Sequence, residues 1–285
     1  MSKLHKPFFS RRLVDYILIV GTEETTYDVF GTANTIHHPQ LLRRFPSEDY
    51  KDFSLPPDVV YFCQPEGYTS STANQHSGNR DATSFIFTLT EKDSGMRRYG
   101  VSVNFYQTFD KSINLDCLNQ YQYSQQQDDA SSHNKSRSQG KTLLLSVCII
   151  SHHAFFTSFR KCINIIREIV DSHPVCLDYD HGNSSLLWLS IMTNRVQDSK
   201  YEKVIEEIED WISRFLKSPT PIPGQTRVEI ELLDKHHSPI VLALPNSSRF
   251  TLTDFPVHLP VELLGVETFI RVFTCMLLQH KVSLN

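Results

Sequence analysis

Apolar and polar positions follow two rhythms along this chain, a period of two in some stretches and a period near 3.6 in others, which separate strands from helices. Within Asp81–Tyr106, Phe85, Phe87 and Leu89 alternate with Ser84, Ile86, Thr88 and Thr90. Val101, Val103 and Phe105 alternate in the same way with Ser102, Asn104 and Tyr106. Lys92-Asp93-Ser94-Gly95 lies between the runs and supplies turn chemistry, Gly95 being free to take positive φ. The pattern predicts a half-buried β-hairpin. Leu13–Val20 is mostly apolar and predicts a central strand ended by Gly21. Val59–Cys63, set between Pro56-Pro57 and Pro65, predicts a second strand, because neither flanking proline can donate to a ladder. Between these two, Pro39–Pro46 reads as a turn or two of helix.

Thr142–Ser151 (TLLLSVCIIS) has the length and β-branching of a fully buried strand. After it, Phe155, Phe156, Phe159, Cys162, Ile163, Ile166, Ile169 and Val170 fall on one stripe of an amphipathic helix. Tyr201, Val204, Ile205, Ile208, Trp211, Ile212 and Phe215 form a second such stripe, opposite a solvated acidic face and stopped by Pro219. Two regions break the rhythm. Gln107–Gly140 is rich in Gln, Ser, Asp and Asn and reads as a disordered insertion. Residues 219–226 are proline-rich and read as a semi-rigid linker. Beyond the linker, Arg227–Leu232 and Ile240–Leu244 predict short strands and Leu263–Gln279 an apolar helix, with another strand beginning at His280. So short a second unit cannot close its own core, so the chain reads as cut short, as a fragment or a truncated isoform.

Composition narrows the function classes. The chain has 285 residues, with 32 acids against 28 bases and a net charge of −4, so nothing suggests a nucleic-acid surface. Its six cysteines form no C-x-x-C, and Cys148 and Cys162 fall inside apolar segments as buried small hydrophobes. No signal-peptide core opens the chain, and its longest apolar run is too short to span a bilayer. The expected location is cytoplasmic, with any membrane recruitment through partners and the sequons at Asn134, Asn183 and Asn246 unused.

Candidate chemistry adds little. There is no phosphate-binding G-x-x-x-x-G-K-[ST], no G-x-G-x-x-G and no nucleophile elbow. The pairs His37-His38, His152-His153 and His236-His237 point their side chains apart, which disfavours chelation of one metal. Asp58 and Glu66, beside prolines, read as turn formers rather than an acid–base pair. Neither cofactor nor catalytic residues for a covalent step are expected.

Four runs carry a resemblance: RLVDYILIVG at Arg12–Gly21, PQLLRRFPSEDYKDFSLPPDVVYFCQPEG at Pro39–Gly67, the hairpin at Asp81–Tyr106, and LPNSSRFTLTDFPVHLPVELLGVETFIRVFTCMLLQHKV at Leu244–Val282. In these the chain resembles the N-terminal part of DENN-domain proteins of the DENN/MADD type. That resemblance implies an α/β fold, more narrowly α+β: a longin-like upstream module at about 11–218, a mostly antiparallel sheet flanked by helices. A linker at 219–226 and the truncated start of an α/β central module at 227–285 would follow.

The resemblance also implies guanine-nucleotide exchange on Rab GTPases of the secretory and synaptic type, requiring no catalytic triad because exchange works by differential binding. The implied site is an exposed apolar patch with a polar rim. Leu41, Leu42, Arg43, Arg44 and Phe45 are one candidate group, in which Glu at both arginines is expected to weaken Rab binding without unfolding. Phe250, Asp254 and Phe255 are a second. Two other readings stay open: a non-catalytic module that binds a Rab or another trafficking partner, or an inhibitory truncated isoform, and an unrelated α/β enzyme with a deep polar pocket.

Overall fold

The computed structural model describes residues 12–22, 36–65, 68–69, 82–92, 95–109, 141–172, 183–194, 199–233, 238–245 and 259–278. Strands β1 (Tyr16–Thr22), β3 (Pro39–Phe45), β5 (Thr83–Thr90), β6 (Arg97–Phe109) and β7 (Lys141–Ser151) form one sheet in the order β3-β1-β7-β6-β5. Every neighbouring pair in it is antiparallel. Short strands β2 (Ile36–His37) and β4 (Tyr68–Thr69) pair separately. The helices are α1 (Val59–Cys63), α2 (Phe156–Ser172), α3 (Asn183–Thr193), α4 (Glu202–Leu216) and α5 (Leu259–Leu277). Strands β8 (Arg227–Ile230) and β9 (Ile240–Ala243) form a small hairpin. The fold is α+β.

The sheet is covered on both faces, which explains why its central strands are so apolar. Ile17, Ile19, Val101, Val103, Leu145, Val147 and Ile149 face α2, α3 and α4 in the larger core. Tyr16, Leu18, Val20, Cys148 and Ile150 face α1 and the segment before it, where Phe53, Leu55, Val59, Val60 and Cys63 close a second core. Strand β7 sits at the centre, paired with β1 on one side and β6 on the other. Trp188 of α3 packs its ring 5.1 Å from Phe105 and donates Nε1–H to Asp171 of α2 at 3.1 Å. The β8–β9 hairpin joins the same core through Ile230, Leu232, Ile240 and Leu242, and Trp211 Nε1–H donates to the Glu231 carbonyl at 2.8 Å.

The predicted hairpin, the β7 strand and both amphipathic helices are present, but four features differ from the sequence expectation. Val59–Cys63 is a helical turn rather than a strand: Val59, Val60 and Cys63 are buried while Tyr61 and Phe62 are exposed, a helical spacing that five residues are too few to reveal. Pro39–Phe45 is an edge strand rather than helix, held by pairing with β1 across a register shift at Ile19/Val20. Helix α3 had no sequence signal, since it is buried among α2, α4, β3 and β6 and so lacks a polar stripe. The two apolar rows of the β5–β6 hairpin also face opposite sides. Val101 and Val103 pair with Ile86 and Ser84 on the helix side, whereas Phe87 lies opposite Gly100 on the α1 side. A Cβ on Gly100 would overlap the Phe87 ring, so this crossing needs glycine. The insertion expected at Gln107–Gly140 begins inside β6, and 110–140 and the strand expected from His280 lie outside the described residues.

One end of the sheet carries a buried charged cluster. Asp15 Oδ1 accepts from Arg12 Nε and a terminal guanidinium nitrogen at 3.2 and 3.0 Å, and its Oδ2 lies 3.5 Å from Arg98 Nε. Beside it, His152 Nε2 is 3.9 Å from Asp15 Oδ2, and the buried Nε2 of His153 has no partner among the described residues. Burial, reinforced by the neighbouring His152, lowers the His153 pKa from 6.5 to about 4. Unfolded chains therefore take up this proton first as pH falls. The stability of the fold is expected to be level above pH 6.5 and to decline toward pH 4, by about 2–3 kcal/mol from His153. Asp49, held near 2, acts only at lower pH. Urea denaturation across this range checks it: His153→Gln flattens the slope, and a flat profile for the unmodified chain contradicts it.

Candidate interaction surface

Helix α1 and the segment leading into it are pinned to the sheet from below. Gln64 donates to the Leu144 carbonyl at 3.1 Å and to Ser146 Oγ at 2.8 Å, and Asn104 donates to the Cys63 carbonyl at 2.8 Å. Tyr16 donates its hydroxyl to the Phe53 carbonyl at 2.7 Å and accepts from the Tyr50 backbone N–H at 2.9 Å. With its inner face fixed in this way, α1 turns Tyr61 and Phe62 outward, 51% and 45% exposed. Phe62 stacks on Phe87 of β5 at 5.4 Å, and Tyr61 meets His38 edge-on at 6.4 Å. Leu41, 38% exposed, pairs with Val20 and so lies on this same side of the sheet. The result is an aromatic ledge running across the sheet from β3 to β5.

The rim is polar and ordered. Arg44 Nε donates to the Ser47 carbonyl at 2.8 Å, and one of its terminal nitrogens reaches Asp49 Oδ1 at 2.7 Å. The Ser54 hydroxyl, then the Leu55 amide and Arg44, hold the Asp49 carboxyl at a pKa of about 2, so it is ionised at neutral pH. An apolar centre with a charged rim on a rigid support is the usual anatomy of a protein–protein contact.

The residues picked from sequence divide by face. Leu41 and Arg44 belong to the ledge and its rim. Leu42 and Phe45 pack on the larger core under the helices. Arg43 also points to the helix side, donating to the Ile191 carbonyl and Asn194 Oδ1, both at 2.6 Å, and pairing with Glu209 at 2.8 Å. It satisfies a carbonyl in the last turn of α3 and ties β3 to α3 and α4. Glu at Arg43 would break these contacts, so the expectation that charge reversal at both arginines spares the fold gives way to loss of stability as well. Phe250, Asp254 and Phe255 lie outside the described residues.

Sequence reasoning missed Tyr61 and Phe62 as surface residues. The signal available was the spacing of Val59, Val60 and Cys63, which fits a helix as well as a strand. A second exposed apolar surface is α5, where Leu263, Val266, Ile270, Phe273 and Met276 are all more than half exposed and Gly265 interrupts the helix at φ 73°. Among the described residues no cluster of His, Cys, Asp and Glu could hold a metal ion, and no helix is long and apolar enough to cross a membrane.

Comparison with known proteins places these features in a family context. The uDENN domain family model matches residues 39–105, and the DENN (AEX-3) domain model matches residues 143–285. The chain is 37% identical over 97% of its length to the MAP kinase-activating death domain protein of Mus musculus. To the proteins of the same name from Caenorhabditis elegans and Drosophila melanogaster it is 38% identical over 96% and 33% identical over 99%. It spans 20% of the length of each. No solved structure matches. The two matched segments meet within one sheet, β3, β5 and β6 coming from the first and β7 from the second.

Proposed function

The chain belongs to the DENN-domain family, and from that membership we propose that it is part of a guanine-nucleotide exchange factor for Rab GTPases. The proposed Rabs are of the secretory and synaptic-vesicle type. Exchange makes and breaks no covalent bond. It works by binding the nucleotide-free GTPase more tightly than the loaded form, so that switch segments leave the phosphates and Mg²⁺. Such a device needs a rigid, partly apolar contact surface.

The observation that carries the proposal is the ledge of Leu41, Tyr61, Phe62 and Phe87, fixed on the sheet and rimmed by Arg44 and Asp49. Tyr61 and Phe62 are its aromatic anchors, the residue types enriched at binding hot spots. The exposed apolar residues of α5 offer a further contact or a surface for additional DENN sequence. Full exchange activity is proposed to require more of the DENN region than these 285 residues.

The test is release of a fluorescent GDP analogue from a panel of secretory Rabs, measured with this chain and with a version extended through further DENN sequence. Acceleration by the extended form alone is the expected result. Acceleration by neither, across the panel, overturns the assignment of Rab as the partner.

A further inference from the structure

The two edges of the main sheet are guarded very differently. Edge strand β3 carries Pro39, Arg43 and Arg44 and a register shift, all features that discourage pairing with another chain. The opposite edge strand, β5, reads TSFIFTLT: no charge, no proline and no glycine over 8 residues in unbroken register with β6. Among the described residues no strand pairs with its outer edge. A strand of this kind, left bare, is a template for another strand.

The helix side of β5 is shaped to read what binds there. Tyr99 contacts Phe156 at 5.5 Å, and Arg167 lies over Phe105 at 5.3 Å, so α2 runs parallel to β6 and antiparallel to β5. Helix α2 covers β6 and β7 but leaves Ile86 of β5 44% exposed. Beside Ile86, toward the start of β5, a groove of about 220 Å³ opens, lined by Ala82 and Ser84, by Val103 of β6, and by Arg160, Asn164, Arg167 and Glu168 of α2. The charges in it are unequally answered. Arg167 pairs with Asp171 at 3.3 Å, whereas the buried Nε of Arg160 has no partner among the described residues. Asn164, one turn on, brings a side-chain amide to the same wall.

We infer that β5 and the α2 wall form a docking groove for an extended acidic peptide, which adds as a strand to the outer edge of β5. The peptide's main chain pairs with β5, and alternate side chains face α2. One of these, a carboxylate, answers Arg160 and Asn164, while its neighbour two residues away, an apolar side chain, rests on Ile86. Glu168 restricts the acidic preference to the Arg160 end. A second copy of this chain fits less well, because a second β5 strand carries no acid to meet Arg160. Arg160 lies on the helix face of the sheet and the aromatic ledge on the α1 face, so a change at Arg160 leaves the ledge untouched.

The test uses the full chain and a blocked, fluorescein-labelled peptide in which glutamate and valine alternate at every second position, with threonine between them. A control peptide carries lysine in place of glutamate. The glutamate peptide is expected to bind and the lysine peptide not to, with outward-facing β5 amides becoming protected from hydrogen exchange. Arg160→Glu, with unchanged circular dichroism, is expected to weaken the glutamate peptide about tenfold and to gain the lysine peptide. Its Rab binding stays as before. Binding that ignores peptide charge overturns the inference, as does insensitivity to Arg160→Glu. Lack of β5 protection, or no binding at millimolar peptide, does the same.

Discussion

Replacing Asp15 by Ala is expected to cost about 3–5 kcal/mol of folding stability, although the side chain removed is small. Asp15 and Arg98 each expose only 1% of their side chains. Arg98 enters the sheet end over the Phe53 ring at 3.5 Å, with a weak contact to the Asp52 carbonyl at 3.5 Å and little else to hold its charge. Without Asp15, a guanidinium would remain in a site that water cannot reach. Arg12 would not suffer in the same way, because Asp52 still accepts from it at 2.6 Å. The attribution has a control. Asp15→Leu combined with Arg98→Met removes both charges and replaces them with apolar volume, and much of the loss is expected to return. Urea denaturation of the two single variants and the double variant measures this. A double variant as unstable as the sum of the singles would show that the loss comes from packing and not from an unpaired charge.

The second large effect concerns how the chain divides. Residues 1–109 contain the whole uDENN-matched segment, 39–105, yet they are expected not to fold alone. Without β7, strands β1 and β3 form one pair and β5 and β6 another, with no strand pairing between them and only the short α1 segment and the Asp15–Arg98 contact left to bridge them. Two-stranded sheets are marginal in water even when intact. The loss goes further, because α2, α3 and α4, which cover Ile17, Ile19, Val101 and Val103, also follow residue 109. The fragment is expected to show no cooperative denaturant transition and collapsed amide dispersion in its NMR spectrum, where the full chain shows both in native form. A cooperative transition in the fragment would mean that the two matched segments are separable units.

Long periodic segments were legible in the sequence because burial on one side writes itself into one element. Helix α4 displays its stripe from Val204 to Phe215, and β7 its apolar run, without reference to anything else. What stayed hidden depends on partners far along the chain. Arg43 looks like a surface cation until Ile191, Asn194 and Glu209 arrive more than 140 residues later to engage it. Pro39–Phe45 is mixed in character and becomes a strand because β1 offers an edge. From Leu187 to Met192 helix α3 is buried on every side because four elements surround it, and a helix without an exposed polar face carries no helical rhythm. The ledge was missed for a smaller reason: one turn of helix at Val59–Cys63 turns both Tyr61 and Phe62 outward, where a strand would send them to opposite faces.

The measurement that bears most directly on the proposed role is the affinity of this chain for a secretory Rab, held nucleotide-free and compared with the same Rab loaded with GDP. Each form is titrated with the unmodified chain and with the Tyr61→Ala/Phe62→Ala variant. Both side chains are about half exposed, so the variant is expected to fold normally. The expected result is tighter binding to the nucleotide-free form and a loss of about tenfold or more in the variant. Equal affinity for the two nucleotide states, or a variant that binds as well as the parent, would contradict a role for the ledge in exchange.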